Sequence, residues 1–317
     1  MDGNRLKGQH LRTKRLRIAP FPEEEWAQLQ AIWMDFSSSR YAVYDAPHDC
    51  SEEGIRAFLH AAAKSGRFYA VWLENRIVGC YGFAERSYGL EMSYCFREKE
   101  RGYATEAGKA LLFLLHGAEP GSVRAGTALM NWPSVGLLYA LGFEQSGREK
   151  VSFYRDSHGP VYFDGGLFTW PRAETGRDKV LVSACLAGYR CRMDGQSKPD
   201  SRIVQLAASG RAVLVCPEEM GGMPTPRPAS ERCGARVVNC EGEDVTQAFL
   251  LGAERALKLC RHAGCTAAIL KSKSPSCGKG AVYDGTFQRS LTEGNGVFAQ
   301  LLIDQGIPVY TEKEAEL

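Results

Sequence analysis

Three short apolar runs in the second half of the chain constrain its fold more than any other feature. The runs are KVLVSAC, RAVLVC and TAAILKS, and none of them alternates apolar with polar residues. Continuous apolar runs of this length are typical of parallel strands that are buried on both faces. The second half is therefore predicted to contain a parallel sheet.

A helix is predicted between the last two of these runs. The segment DVTQAFLLGAERALKLCRHAG has an apolar stripe at helical spacing and begins with a capping box from Asp244 to Gln247. Because strands and helix alternate along the chain, we predict an α/β domain of the Rossmann-like kind.

Cysteines follow the apolar runs. Cys185 and Cys216 end the first two, and Cys277 lies in the loop after the third. Ligands of parallel α/β sheets bind beyond the carboxyl ends of the strands, so we expect these thiols to converge on a metal centre. Three cysteines would hold a 4Fe-4S cluster with one iron left open, whereas four would close it. Taken singly, each cysteine is also compatible with a buried thiol.

The composition limits the remaining classes. The chain has 317 residues, a net charge of +2 and 11 cysteines, none in a C-x-x-C pair, so a zinc ribbon or thioredoxin motif has no support. No apolar run approaches the length of a membrane span, and we predict a cytoplasmic protein. The polar segment PRAETGRD is the best linker, which predicts domains at residues 1–172 and 178–317.

The first half has a different pattern, in which apolar and polar residues alternate. This alternation predicts a mixed, mostly antiparallel sheet with helices packed on it. A helix is predicted in EEEWAQLQAIWMDF. The predicted strands are RTKRLRIAPF, RFYAVWLE, RIVGCYGFAE and LEMSYCF.

Gly102 opens a further predicted helix, directly after the polar segment REKER. A glycine at such a junction leaves several backbone N–H groups free, with the positive end of the helix dipole behind them. This arrangement can bind a pyrophosphate, although many helices that bind no ligand also begin after a glycine.

The segment resembles the acetyl-CoA pyrophosphate loop of the GNAT acetyltransferase superfamily, R/Q-x-x-G-x-G/A. The T-E-A continuation, the N-x-x-S pattern ending at Ser134 and the L-G-F ending at Phe143 are similar to its ribosomal-protein-alanine acetyltransferase-like branch. Lys99 departs from the pattern, since Arg or Gln stands there in the family. The resemblance implies an acetyl-CoA-dependent N-acetyltransferase. The implied cofactor-binding residues are Lys99, Glu100, Arg101, Gly102, Tyr103, Ala104 and Asn131.

An acetyltransferase must accept a proton from the attacking amine and return one to the CoA thiolate. Glu91, on the predicted strand before the loop, is the candidate base, and a surface glutamate is the alternative interpretation. Members of the superfamily that use a tyrosine acid have it at the position of Leu138. Tyr139 is therefore predicted to pack in the core.

The second half contains five long segments in a fixed order: SACLAGYRCRMDG, CPEEMGGMPTPRPASE, GEDVTQAFLLGAERAL, ILKSKSPSCGKGAVYDGTF and LTEGNGVFAQLL. They resemble the successive motifs of the thiouracil desulfurase family, over about Lys179 to Glu314. Met193 is a mild departure, because many members have Tyr there.

The motifs place the cluster ligands at Cys185, Cys216 and Cys277. The resemblance implies a non-redox reaction in which the open iron of a 4Fe-4S cluster polarises the C=S bond of a thiopyrimidine such as 2-thiouracil. Water then replaces the sulfur, which leaves as hydrosulfide.

The supporting residues have two interpretations each. Glu218 would activate water or hold loop N–H groups, and Ser274 would bind substrate or shape a turn. Cys191 shares the first motif, and a structural role is favoured for it. Asp194 and Arg227 are expected to brace loops rather than to orient substrate.

Together the two resemblances imply a bifunctional enzyme acting on a small thiopyrimidine and an amine acceptor, and no membrane partner is expected. One alternative is a desulfurase for a thiolated nucleoside or tRNA, whose first half is a binding module that contacts phosphates through the basic segment Arg5 to Arg17. Another alternative is a non-enzymatic iron-sulfur sensor. The acetyl acceptor and the oligomeric state stay open.

Overall fold

The structure, a computed structural model, describes residues 3–97, 101–115, 122–157, 159–171 and 178–315. The chain forms two compact units, Met1–Thr175 and Gly176–Leu317. Each unit contains its own sheet, so the prediction of two α/β domains is confirmed. In the described part, no helix is long and apolar enough to cross a membrane.

The first unit has helices on one large sheet. Its α-helices are α1 (Trp26–Ser37), α2 (Glu52–Ser65), α3 (Tyr103–Phe113) and α4 (Trp132–Ala140). Short 3₁₀ turns lie at Gly3–Leu6, Glu23–Glu25 and Ala42–Tyr44. Its strands are β1 (Leu11–Arg12), β2 (Arg17–Pro20), β3 (Phe68–Leu73), β4 (Arg76–Arg86), β5 (Gly89–Phe96), β6 (Val123–Ala128), β7 (Glu144–Asp156) and β8 (Gly159–Trp170).

The described strands of this sheet follow the order β1-β2-β3-β4-β5-β6-β8-β7. All neighbours are antiparallel except β5 and β6, which confirms the predicted mixed, mostly antiparallel sheet. A core cluster that includes Leu29, Ile32 and Ile55 joins α1 and α2 to β3 and β4.

The first predicted strand is instead a hairpin. Residues between Arg12 and Arg17 form a tight turn in which the Thr13 amide donates to the Leu16 carbonyl at 2.9 Å. β1 and β2 then pair with each other in antiparallel register. The alternation of basic and apolar residues does not reveal this turn, because the pattern continues through it.

The second unit contains a smaller sheet and several short strands. Its α-helices are α5 (Ser201–Ala208), α6 (Pro217–Met220), α7 (Thr246–Ala263) and α8 (Val297–Asp304). A 3₁₀ turn lies at Ala184–Ala187. Its strands are β9 (Lys179–Ser183), β10 (Ala212–Val215), β11 (Ser230–Cys233), β12 (Arg236–Asn239), β13 (Cys265–Leu270), β14 (Ala281–Tyr283), β15 (Leu291–Glu293) and β16 (Val309–Thr311).

The main sheet of the second unit has the order β10-β9-β13-β16, and all its described pairs are parallel. All four residues of β10 are buried, and so is most of β9, as continuous apolar runs require. The predicted parallel sheet is thereby confirmed. The three apolar runs of the sequence form β9, β10 and β13, in that order. These strands are adjacent in the sheet, with β9 between the other two.

The helix α7 begins one residue later than a capping box at Asp244 would place it. Val245 occupies the N-cap position, and Asp244 instead accepts the Thr246 amide at 2.9 Å. Gly252 allows this helix to approach the loop after β10, because a Cβ there would collide with the Pro217 carbonyl oxygen. The close approach fixes the short helix α6, which follows directly on Cys216.

Candidate functional site

Cys185, Cys216 and Cys277 lie at the carboxyl edge of the parallel sheet. Cys185 lies in the 3₁₀ turn after β9, Cys216 immediately precedes α6, and Cys277 lies between β13 and β14. They are 8%, 9% and 5% exposed. The thiol of Cys277 is close enough to the other two for their charge to raise its pKa, in addition to the larger effect of burial. The structure thus brings the three predicted ligands together.

Cys191 lies among these cysteines, although its sequence position suggested a structural role. It is 2% exposed, and the thiols of Cys185 and Cys216 are close enough to raise the pKa of its own thiol. The Cys216 thiol also donates to the Cys191 carbonyl at 3.6 Å. Four thiols therefore converge here, and Cys191 competes with the three strand-end cysteines as a ligand. Its place in the same motif as Cys185 was the available sequence signal.

Positive charge surrounds the Cys185 sulfur. A hydrogen bond from Cys191 lowers the pKa of Cys185, and the charges of Lys271 and Arg192 lower it further, against the effect of burial. A lower pKa favours the thiolate, which is the form that binds metals. The surroundings of Cys185 therefore favour the form in which a cysteine can bind a metal.

A buried hydroxyl beside Cys277 tests whether these residues fit a 4Fe-4S cluster. Among the described residues, no group of three or more His, Cys, Asp or Glu side chains is arranged to hold one metal ion. Thiolates are the usual ligands of a 4Fe-4S cluster, and each binds a different iron. The Ser276 hydroxyl is fully buried and has no hydrogen-bond partner within the described ranges. A cluster sulfide beside Cys277 would offer such a hydroxyl an acceptor, and we conclude that the residues fit the cluster.

Glu218 is held next to the cysteines by a buried arginine. Arg227 donates from Nε and Nη2 to the same oxygen of Glu218, Oε2, at 2.8 and 2.7 Å. In the described part of the chain, the second oxygen, Oε1, accepts no hydrogen bond. Arg227 also donates to the carbonyls of Cys191 and Pro224 and to the Thr225 hydroxyl. It braces these loops, as the sequence analysis expected, and leaves one carboxylate oxygen of Glu218 available.

Ser274 shapes the turn that carries Cys277. Its hydroxyl oxygen accepts the amides of Ser276 and Cys277, each at 3.1 Å. Because the oxygen accepts both bonds, the hydroxyl hydrogen is free to donate, and it has no acceptor among the residues described. Gly296 lies against this turn, where a Cβ would collide with the backbone of Ser276. The turn is thus fixed on both sides.

Lys271 and Glu312 form a second ion pair beside the thiols. The Lys271 ammonium donates to Glu312 Oε1 at 2.5 Å, and the other oxygen accepts the Ser272 amide at 2.8 Å. Burial raises the pKa of Glu312, but these hydrogen bonds outweigh it and lower the pKa overall. Asp194, by contrast, pairs with Arg192 and accepts the Gln196 amide within its own loop.

The predicted pyrophosphate loop of the first unit precedes α3. Gly102 is the N-cap residue with a φ of +75°, a left-handed conformation that favours glycine. The carbonyl of Ala104 accepts the buried Tyr81 hydroxyl at 2.8 Å, which fixes the first turn of the helix. Two of the predicted cofactor-binding residues, Lys99 and Glu100, lie outside the described residues.

Two further predicted residues of this unit have distinct surroundings. Glu91 lies on β5 in an ion pair with Arg86 at 2.7 Å, and both side chains are largely exposed. Asn131 precedes α4, and its side chain caps no amide of that helix. Tyr139 is buried and meets Phe168 edge-on at 5.5 Å, so it lies in the core.

A gap between β5 and β6 contains groups that the sequence analysis did not single out. The two strands pair only at Leu90 with Val123 and at Glu91 with Arg124, as far as the described residues show. Beyond this point, the Tyr94 hydroxyl lies 2.6 Å from the Ser134 hydroxyl.

Asp45 and His48 lie near this gap. Burial raises the pKa of Tyr94, and the charge of Asp45 raises it too. His48 stacks on Trp33 at 4.5 Å, and burial lowers its pKa although Asp45 opposes the shift. These polar groups lie in loops whose contacts have no periodic sequence pattern.

Comparison with known families gives one match for each half. A family model described as 2-thiouracil desulfurase matches residues 180–314, and one described as acetyltransferase (GNAT) domain matches residues 15–144. This chain is also 39% identical over 145 residues to the uncharacterized protein YbbK of Bacillus subtilis (strain 168). That match covers 43% of this chain and 96% of YbbK.

Solved structures resemble the two halves separately. A 4Fe-4S-dependent thiouracil desulfidase, TudS, is 48% identical and matches 43% of this chain and 91% of its own, with a TM-score of 0.42. A GNAT-family acetyltransferase from Bacillus anthracis is 22% identical and matches 50% of this chain and 96% of its own, also with a TM-score of 0.42.

Proposed function

Because the second half of the chain belongs to the 2-thiouracil desulfurase family and the first half carries a GNAT acetyltransferase domain, we propose that the protein is a bifunctional enzyme. The second half removes sulfur from a thiolated pyrimidine such as 2-thiouracil with a 4Fe-4S cluster and without net redox change. The first half transfers an acetyl group from acetyl-CoA to an amine.

The observation that carries the desulfurase proposal is the set of buried cysteines at the ends of three adjacent parallel strands. Cys185, Cys216 and Cys277 would hold the cluster, with Cys191 as the competing ligand. When bound through three thiolates, the cluster supplies an open iron, a Lewis acid toward the thiocarbonyl sulfur.

The protein's own residues handle water and protons. Glu218 takes a proton from water through Oε1, while Arg227 holds Oε2 and keeps the carboxylate in place. The resulting hydroxide adds to the thiocarbonyl carbon. As the C–S bond breaks, the remaining proton of the added oxygen passes to the departing sulfur, and that oxygen becomes the new carbonyl oxygen. The free hydroxyl of Ser274 donates a hydrogen bond to the substrate and thereby orients it. The products are the oxo pyrimidine and hydrosulfide, so no electrons are gained or lost.

In the first half, Gly102 and the first turn of α3 present free amides to the pyrophosphate of acetyl-CoA. The gap between β5 and β6 admits the acetyl group and the amine. Glu91 is the proposed base, and it must leave Arg86 or act through water to reach the amine.

The test of the desulfurase is sulfide release from 2-thiouracil by anaerobically purified, cluster-reconstituted full-length protein. Iron is determined on the same sample. Turnover with about four irons per chain supports the proposal. Iron without turnover on 2-thiouracil, thiolated nucleosides or thiolated tRNA favours a sensor, and absence of iron contradicts the cluster.

Serine variants of the four cysteines identify the ligands. Iron retention in Cys191→Ser, together with iron loss in Cys185→Ser, Cys216→Ser and Cys277→Ser, supports the proposed set. If Cys191→Ser loses iron and one of the other three variants retains it, then Cys191 is a ligand in place of that other cysteine.

The acetyltransferase is tested by binding of acetyl-CoA to the full-length protein, followed by transfer of labelled acetyl to a panel of amines. Binding with transfer supports the proposal. If acetyl-CoA does not bind, the first half has another role.

A further inference from the structure

Arg15 lies beside the pyrophosphate loop, although it belongs to the turn between β1 and β2. Its Nη1 donates to the Arg101 carbonyl at 3.0 Å, and its guanidinium lies over the Tyr103 ring at 4.8 Å. A residue distant in sequence therefore contacts both sides of Gly102.

Glu106, in the first turn of α3, fixes the orientation of this guanidinium. Its Oε2 accepts Arg15 Nε at 2.6 Å, and its Oε1 accepts the Arg15 amide at 3.0 Å and the Thr13 hydroxyl at 2.5 Å. Burial would raise the pKa of Glu106, but these bonds lower it overall, so the carboxylate stays ionised. Three fixed contacts restrict a side chain that would otherwise be free in solvent.

The second amino group of Arg15, Nη2, lies beside Gly102. A Cβ placed on Gly102 would lie 3.4 Å from Arg15 Nη2. Within the part of the chain that the structure describes, Nη2 has no hydrogen-bond partner. The side chain is 43% exposed, so a ligand can reach it.

We propose that Arg15 binds the pyrophosphate of acetyl-CoA through Nη2, next to the free amides at the start of α3. The proposal rests on the proposed acetyl-CoA site and adds to it a residue from outside the loop. Guanidinium groups form strong, charge-assisted hydrogen bonds with phosphate oxygens. Glu106 and the Arg101 carbonyl hold Nε and Nη1, which leaves Nη2 for the ligand.

The experiment measures dissociation constants of coenzyme A and 3′-dephospho-coenzyme A for the full-length protein and its variants. Arg15→Gln is expected to weaken both ligands by the same factor, about tenfold to a hundredfold, the range of a lost charged hydrogen bond. Lys14→Gln is the matched control, because it removes one exposed positive charge from the neighbouring position. It should change both constants less than about twofold.

Arg15→Lys separates phosphate binding from loop bracing. Lysine keeps the charge but cannot bond Glu106 and Arg101 together, so recovery of at least half of the lost binding free energy supports a phosphate contact. If Arg15→Lys binds both ligands as weakly as Arg15→Gln does, then Arg15 only braces the loop, and the proposal is overturned.

Three other results also overturn it. If Arg15→Gln binds both ligands as tightly as the unmodified protein, Arg15 does not contact the pyrophosphate. If only the binding of coenzyme A is weakened, Arg15 contacts the 3′-phosphate instead. Failure of the unmodified protein to bind coenzyme A rejects the acetyltransferase itself, and is thereby distinguishable from the first two.

Discussion

Glu218 and Glu91 are each bound by an arginine nitrogen at 2.7 Å, one pair in each half of the chain. The side chains of Glu218 and Arg227 are 17% and 2% exposed, whereas those of Glu91 and Arg86 are 41% and 51% exposed. Identical distances thus accompany opposite solvent environments.

The difference teaches that burial, not distance, decides what such a pair does. Water and ions screen an exposed pair, so Glu91 can exchange Arg86 for another partner at small cost. Arg227 has no such freedom, because its removal would leave a largely buried carboxylate unpaired and take one donor from each of two loop carbonyls. The buried pair therefore fixes a geometry, and the exposed one does not.

The largest expected effect comes from Cys277→Ser, which removes a proposed ligand from the buried site only. Iron and sulfide release should fall to background, while coenzyme A binding by the first half persists. Cys260→Ser is the control, since Cys260 is equally buried but lies on α7. Full activity in Cys277→Ser would reject its assignment as a ligand.

Glu218→Gln removes the proposed base and retains the shape of the side chain. We expect kcat for sulfide release to fall about a thousandfold, within the range of general base catalysis. Iron content should stay unchanged, which separates loss of proton transfer from loss of the cluster. Sulfide release at the unmodified rate would show that Glu218 only holds its loop.

Arg227→Met breaks the buried pair, and Arg86→Met breaks the exposed one. We expect the first to lower the free energy of unfolding of the second half by about 3 to 5 kcal/mol, because it leaves an unpaired buried charge. The second should leave the unfolding transition of the first half in place. Denaturant titrations compare the two, and equal shifts would contradict the argument from burial.

Glu91→Gln has the smallest expected effect, a fall of about a hundredfold in the rate of acetyl transfer. The dissociation constant of acetyl-CoA should not change, because Glu91 does not lie in the pyrophosphate loop. An unchanged rate would identify Glu91 as a surface residue, and Asp45 and His48 beside Tyr94 would be the next groups to replace.

Much of the second unit could be predicted because its strands are buried on both faces. Continuous apolar runs identified β9, β10 and β13, and the direction of parallel strands placed Cys185 and Cys216 at one edge. The contacts of Cys191 could not be predicted, since they depend on how the loop after Gly188 folds back. Arg227 is similar, because its bond to the Cys191 carbonyl joins two loops whose residues are 36 positions apart in the sequence.

In the first unit, the sequence pattern revealed some strands but concealed a turn. Alternation identified β3, β4 and β5, but it continued through the turn at Thr13 and so hid the hairpin of β1 and β2. The position of Arg15 beside Gly102 follows from that hairpin. The helix start at Asp244 was also misplaced, because the same side chain can cap either of two neighbouring amides.

The three proposed cluster ligands, Cys185, Cys216 and Cys277, follow three adjacent strands of one parallel sheet, and β13 is the last of these strands to be synthesised. Parallel strands are joined by long crossover connections, so no fragment that ends before Cys277 contains the complete set. The proposed iron site therefore cannot be completed until synthesis has passed Cys277. We expect a nascent chain that ends before Cys277 to acquire no cluster.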